Sequence, residues 1–178
     1  MSFFKNKFCS VSPFKQMESE IKMLSGRAMA ISAGIVLAAG FISRLWTGWV
    51  RYPIDAYVPI FLPPLFIMTL LQIFWCIVSG AIIGASVAHS SRACRDYRNR
   101  GILYMILHCV FAFTWYPLFF GVYAHFAATL AAALMCIFCF FAMINLVRVY
   151  YIFGVTLLIY LISLLCFFIG NISYLLIN

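Results

Sequence analysis

The sequence predicts an all-α membrane protein, a bundle of five transmembrane helices, and three observations carry that prediction. Of its 178 residues 66% are hydrophobic and only 9% are charged, whereas soluble domains carry about 25% charged residues. Five apolar runs reach the length of roughly 20 residues that spans the hydrocarbon core as a helix. The charged residues collect in the tail and connections between those runs. Lipid offers no hydrogen-bond partner to a bare backbone, so each run must satisfy its own peptide groups by coiling.

Residues 1–27 form a basic tail, expected in the cytoplasm, in which Phe3, Phe4, Phe8 and Phe14 alternate with Lys5, Lys7 and Lys15. Such a tail either lies on an anionic inner leaflet or remains disordered. It lacks the short basic start, apolar core and small-residue cleavage site of a secretory leader, so the first apolar run is expected to be retained in the membrane. Residues 28–178 are expected to form the five-helix domain, with spans at 28–49, 65–87, 101–123, 124–147 and 149–177. The connection after the first span holds Pro53, Pro59, Pro63 and Pro64 beside Tyr52 and Tyr57, after Trp46 and Trp49. It either covers one mouth of the bundle, or its aromatic residues simply anchor a helix end at headgroup depth. The third and fourth spans meet near Gly121 and the fourth and fifth near Arg148, so these three are expected to form tight antiparallel hairpins.

Orientation follows from the distribution of Lys and Arg. Lys5, Lys7, Lys15, Lys22, Arg27, Arg92, Arg95, Arg98, Arg100 and Arg148 fall on one side of a five-span arrangement, and Arg44 and Arg51 on the other. Ten against two predicts a cytoplasmic N-terminus and a C-terminus outside, and a bacterial plasma membrane is the expected location. The net charge of +8 is therefore a topology signal, and no nucleic-acid partner is expected.

Small residues let helices approach closely where lipid removes the usual hydrophobic drive for association. Gly80 and Gly84 form GxxxG, and Ala124, Ala128 and Ala132 form a ladder of the same spacing, flanked by Ala127, Ala131 and Ala133. Packing within the bundle is the simpler reading, and a homodimer the weaker one.

Little in the sequence can carry bond-making chemistry. The acidic residues are Glu18, Glu20, Asp55 and Asp96, all in the tail or connections, which disfavours a proton-driven pump or transporter. His89, His108 and His125 lie on different segments without metal-ligand spacing, so no metal site is expected. Cys136 and Cys139 form a CxxC in the middle of a span, where thiols serve mainly as small hydrophobes. No catalytic residue is assigned, and an enzyme is the least favoured class. The polar residues at membrane depth are Gln72, His108, Asn145 and Asn171. Each must face protein or a cavity, either to join helices by hydrogen bonds or to line a ligand pocket.

The second to fifth spans resemble the TspO/MBR family, the translocator proteins and tryptophan-rich sensory proteins, which are compact five-helix membrane proteins of similar length. The run Phe113-Thr114-Trp115-Tyr116-Pro117-Leu118-Phe119-Phe120-Gly121 looks like the family's third-helix signature, with Phe113 in place of one tryptophan. Pro63, Pro64, Phe66 and Gly80 align with its second-helix pattern, and Tyr160 and Asn171 fall on its last-helix tyrosine and asparagine. The resemblance covers roughly residues 46–178. It implies a five-helix bundle of the TspO/MBR type that binds a tetrapyrrole such as a porphyrin or heme, or a lipid or sterol, with a sensory or transport role and no required cofactor. It also implies ligand contacts from Trp115, Phe66, Gln72, His108, Leu134, Ser163 and Phe167.

Several positions depart from the family. Gln72 replaces a second-helix tryptophan, Ala112 an asparagine, His108 a glutamine and Ala131 an aspartate, while Ile159 and Ser163 replace a proline and a tryptophan. The lost indoles argue against the light-dependent porphyrin breakdown that some bacterial members resemble. The rival reading is a structural or assembly protein whose helices pack against partner membrane proteins without a ligand.

Overall fold

A computed structural model describes residues 24–46, 64–88 and 94–177. The readings of the basic tail, of the connection carrying Arg51, Tyr52, Tyr57 and the prolines before Pro64, of Trp49, and of His89 and Arg92 lie outside the described residues. The chain forms five long helices: α1 (Gly26–Trp46), α2 (Leu65–Ala88), α3 (Arg95–Tyr116), α4 (His125–Leu146) and α5 (Tyr151–Ile177). All five are long and apolar enough to cross a membrane, and together they fit a multi-pass integral membrane protein. Their outer faces carry many exposed large apolar side chains, among them Ile31, Phe41, Leu70, Phe126, Ile159 and Leu176. Lipid is the solvent for which such a surface is suited.

Two ends differ from the sequence expectation, each for a local reason. Helix α3 begins at Arg95, six residues before the apolar run. Helical backbone need not stop where hydrocarbon stops, so Arg95, Asp96, Arg98 and Arg100 add a polar first turn and a half. At its other end Pro117 brings no N–H to the ladder, and α3 relaxes into a π-helical turn over Pro117–Gly121. Val122 N–H donates to the Pro117 carbonyl at 3.0 Å and Ala124 N–H to that of Leu118 at 2.9 Å. The reversal into α4 then passes through Tyr123, whose φ of 53° is left-handed, a region that costs a side-chain-bearing residue about 1 kcal/mol or more.

Packing is uneven among the helices. α1 lies along α2, α3 along α4, and α4 along α5, while α1 and α2 meet α3 much less extensively. The expected GxxxG supplies the first contact. A Cβ on Gly80 would sit 2.5 Å from Ala33 Cα and 2.6 Å from the Ser32 oxygen, and one on Gly84 would run into the Ala28 carbonyl. The alanine ladder works inside the bundle as well, with Ala128, Ala131 and Ala132 all below 5% exposed in the main core. Gly101 lets the start of α3 approach the end of α4, where a Cβ would lie 2.5 Å from Leu146 Cδ2. Nearby, the Arg148 guanidinium lies 4.4 Å from the centre of the Tyr97 ring. Among the described residues Arg27, Arg95, Arg98, Arg100 and Arg148 thus share one end of the bundle, and Arg44 stands at the other.

Candidate functional site

Where the α1–α2 pair faces α3, α4 and α5, the helices leave a cavity of about 370 Å3. Pockets for small molecules span roughly 300–1,000 Å3 and combine apolar walls with a few polar groups, and this cavity has that make-up. One stripe of α2 lines it at helical spacing: Met68, Gln72, Trp75, Cys76 and Ser79. α3 contributes His108, Cys109, Ala112, Trp115 and Tyr116, and α5 contributes Tyr160, Ser163, Leu164 and Phe167. α1 and α4 reach it through Val36 and Met135. Among the described residues no Lys, Arg, Asp or Glu side chain is part of the lining.

Among the described residues, the polar groups at the cavity divide into those already engaged and three that make no hydrogen bond, the Gln72 amide and the Ser79 and Tyr116 hydroxyls. His108 is 1% exposed, with Nδ1 3.0 Å from the Met135 carbonyl and Nε2 2.8 Å from the Tyr160 hydroxyl. A carbonyl can only accept, so Nδ1 carries a proton. The neutral ring then offers Nε2 as an acceptor, and the Tyr160 hydroxyl donates to it. Three helices, α3, α4 and α5, are joined through this one imidazole. Tyr160 also reaches α2, because its ring stacks on Trp75 with centroids 4.1 Å apart. Its oxygen retains acceptor capacity beside the cavity.

Asn171 and Asn145 are also satisfied. Trp115 Nε1–H donates to Asn171 Oδ1 at 2.9 Å, and Asn171 Nδ2 donates to the Phe167 carbonyl at 2.9 Å. Asn145 Nδ2 donates to the Phe141 carbonyl in its own helix at 2.7 Å. Of the three unengaged groups Gln72 is the amide, with two donor hydrogens and an acceptor oxygen at the cavity and no hydrogen bond among the described residues. An amide at hydrocarbon depth without a partner costs on the order of 1–3 kcal/mol on protein scales, so its place at a cavity wall is the arrangement that a guest could relieve. Two other unpartnered buried polar atoms, Ser86 Oγ and His125 Nδ1, lie off the cavity.

Of the residues expected from sequence, Trp115, Gln72, His108, Ser163 and Phe167 come together here. Trp115 is less open than a stacking residue would need to be. It is 2% exposed, its indole N–H is taken by Asn171, and Phe119 stacks on it at 4.8 Å while Phe167 meets it edge-on at 4.8 Å. Ser163 turns its hydroxyl back to the Tyr160 carbonyl at 2.7 Å. Phe66 and Leu134 are not in the lining. Phe66 is 72% exposed, because residues two apart on a helix point about 200° away from each other and Met68 is the one turned inward. Leu134 is half-buried, and its neighbour Met135 supplies the α4 side.

The sequence reading missed Trp75, Tyr160 as a hydrogen-bonding member, and Met135. A signal for Trp75 was present: it lies three residues after Gln72, on the same helical face. Among the described residues no three His, Cys, Asp or Glu side chains converge as a metal site. Cys136 and Cys139 are free thiols packed in the core. Compared with protein-family models, curated proteins and solved structures, the chain finds no match.

Proposed function

We propose that this chain is a TspO-like membrane protein that holds a hydrophobic small molecule between its helices. The observation that carries the proposal is the unpaired Gln72 amide, set in an apolar and aromatic cavity that the Tyr160–His108 couple also lines. Apolar walls supply affinity, and the two polar points supply orientation. Gln72 can donate and accept, while the Tyr160 oxygen, having given its proton to His108, accepts.

Between a tetrapyrrole and a lipid or sterol, the lining favours a neutral guest. A porphyrin with ionised propionates would meet no cation among the described residues of the lining, and an unpaired charge is costly to place in such surroundings. A neutral ring system with one hydroxyl would find an acceptor in Tyr160 and an amide in Gln72. The rival reading of a structural or assembly protein rests on the alanine-rich α4 and on the thinned polar groups of the pocket; against the first, Ala128, Ala131 and Ala132 are buried within the bundle.

The test is titration of the purified protein with a neutral sterol, heme and protoporphyrin, followed by quenching of tryptophan fluorescence. Trp75 and Trp115 both border the cavity and report on its filling. Saturable binding of a neutral guest, weakened about tenfold by Gln72→Leu through loss of a hydrogen bond of order 1–1.5 kcal/mol, is the expected result. Absence of saturable binding across all three classes overturns the proposal.

A further inference from the structure

The internal cavity is not walled on every side. Two residues that border it, Leu71 on α2 and Cys166 on α5, are also exposed on the outside of the bundle. The hollow therefore reaches the surface where these two helices face each other. Among the described residues α1 runs along α2, α3 along α4 and α4 along α5, whereas the backbones of α2 and α5 hardly approach one another. What bridges them is a pair of rings, Trp75 stacked on Tyr160.

We propose that a slot between α2 and α5 opens the cavity to the hydrocarbon of the bilayer, and that the guest enters and leaves through it from the membrane. This route rests on the reading of the cavity as a ligand site and adds where the ligand comes from. Helix geometry places the slot. Leu71 lies one turn before Trp75, about 6 Å along α2, and Ser163 and Cys166 lie about 4.5 and 9 Å beyond Tyr160 along α5, at 1.5 Å per residue. The chain reverses three times between α2 and α5 if each helix crosses the membrane, so the two run antiparallel and these residues stand on one side of the ring pair. The side chains from α5 are short there. Ser163 turns its hydroxyl back to the Tyr160 carbonyl, and Cys166 is a free thiol, so little fills the space between two helices already too far apart for backbone contact.

Depth decides what stands outside the slot. Leu71 is six residues inside the start of α2 at Leu65, about 9 Å along the helix, which is less than the roughly 15 Å half-thickness of the hydrocarbon core. The mouth therefore meets acyl chains rather than water. Its rim is apolar as well, with Phe74 one turn from Leu71 and Ile162 one turn from Cys166, both exposed. A neutral molecule dissolved in the membrane can pass such a mouth, while an ionised one would have to surrender its hydration to reach it.

The rim can be narrowed or widened without changing the polar groups inside. Stopped-flow mixing of the purified protein in mixed micelles with a neutral sterol that accepts tryptophan emission reads the rates. Cys166→Phe adds a ring at the rim and should slow association and dissociation together, each about tenfold, as a barrier higher by about 1.4 kcal/mol would do. Leu71→Ala shortens the opposite rim and should speed both. A residue that only touches the bound guest acts chiefly on dissociation.

A second reading needs no guest. In vesicles of phosphatidylcholine with brominated chains, the emission that Trp75→Phe removes should be quenched, and quenched less in Cys166→Phe. Association rates unaltered in both variants, or a Trp75 emission insensitive to brominated chains, overturns the slot. Absence of saturable binding by the wild type strikes the ligand reading and the guest's route with it, while the quenching still decides whether the slot exists.

Discussion

Replacing Tyr160 by Phe removes a single oxygen from the interior, and its cost can be worked from the geometry. The hydroxyl is the donor to His108 Nε2 at 2.8 Å, and both residues are buried. The variant loses that bond, worth about 0.5–1.5 kcal/mol net, and leaves a buried acceptor without a partner. Membrane hydrogen bonds measured by double-mutant cycles average about 0.6 kcal/mol and reach about 1.7, so a destabilisation near 1 kcal/mol is expected. His108→Leu orphans the Tyr160 hydroxyl instead, and also gives up the bond to the Met135 carbonyl. In the double variant neither orphan exists, so the two costs should fall short of adding by about 1 kcal/mol. Equilibrium unfolding in mixed micelles, followed by reaction of the buried thiols Cys109, Cys136 and Cys139, measures each variant. Additivity within the usual 0.3–0.5 kcal/mol for independent sites would refute the coupling, and with it the assignment of Tyr160 as the donor.

Three further outcomes are expected. Gly84→Leu must push the Ala28 backbone away and should cost about 2 kcal/mol, in the range for overpacking, while Gly34→Leu, with open space beside it, should leave stability unchanged within about 0.5 kcal/mol; both are read by thermal unfolding in detergent. Tyr123→Gly, at φ 53°, should stabilise by about 1 kcal/mol, and Tyr123→Val should destabilise, since a β-branched residue fits that region worst. Asn171→Ala should cost about 1–2 kcal/mol by leaving the Trp115 indole N–H unpaired in the interior, and the tryptophan emission maximum should shift with it.

The spans were legible in the sequence because hydrocarbon imposes one strict demand, an unbroken apolar run, and the five runs satisfy it. The GxxxG at Gly80 and Gly84 and the alanine ladder were legible for the related reason that close helix approach requires small residues at fixed spacing. The ends were less legible. Hydropathy reports where the membrane is, not where the helix is, so it missed the polar first turns of α3 at Arg95–Arg100. The reversal was marked by Gly121, but the left-handed residue is Tyr123 two positions on, a residue type that gives no such signal.

The site was legible only in part. Gln72, His108 and Asn171 could be singled out as polar groups that must avoid lipid, but which of them would find partners depended on tertiary packing. Asn145 closes on its own helix, Asn171 caps an indole, and only Gln72 is left at a wall. Phe66 shows the limit of aligning spacings alone, since its aromatic character suggested a contact while helix phase turned it toward lipid.

Gln72 and Cys76 line both the internal cavity and a second concavity between α1 and α2, and Gly40 beside them leaves no room for a side chain: a methyl there would sit 3.0 Å from Cys76 Sγ and 3.1 Å from Phe113 Cε1. The interior is thus parted from the neighbouring hollow by two side chains rather than by the thickness of a helix.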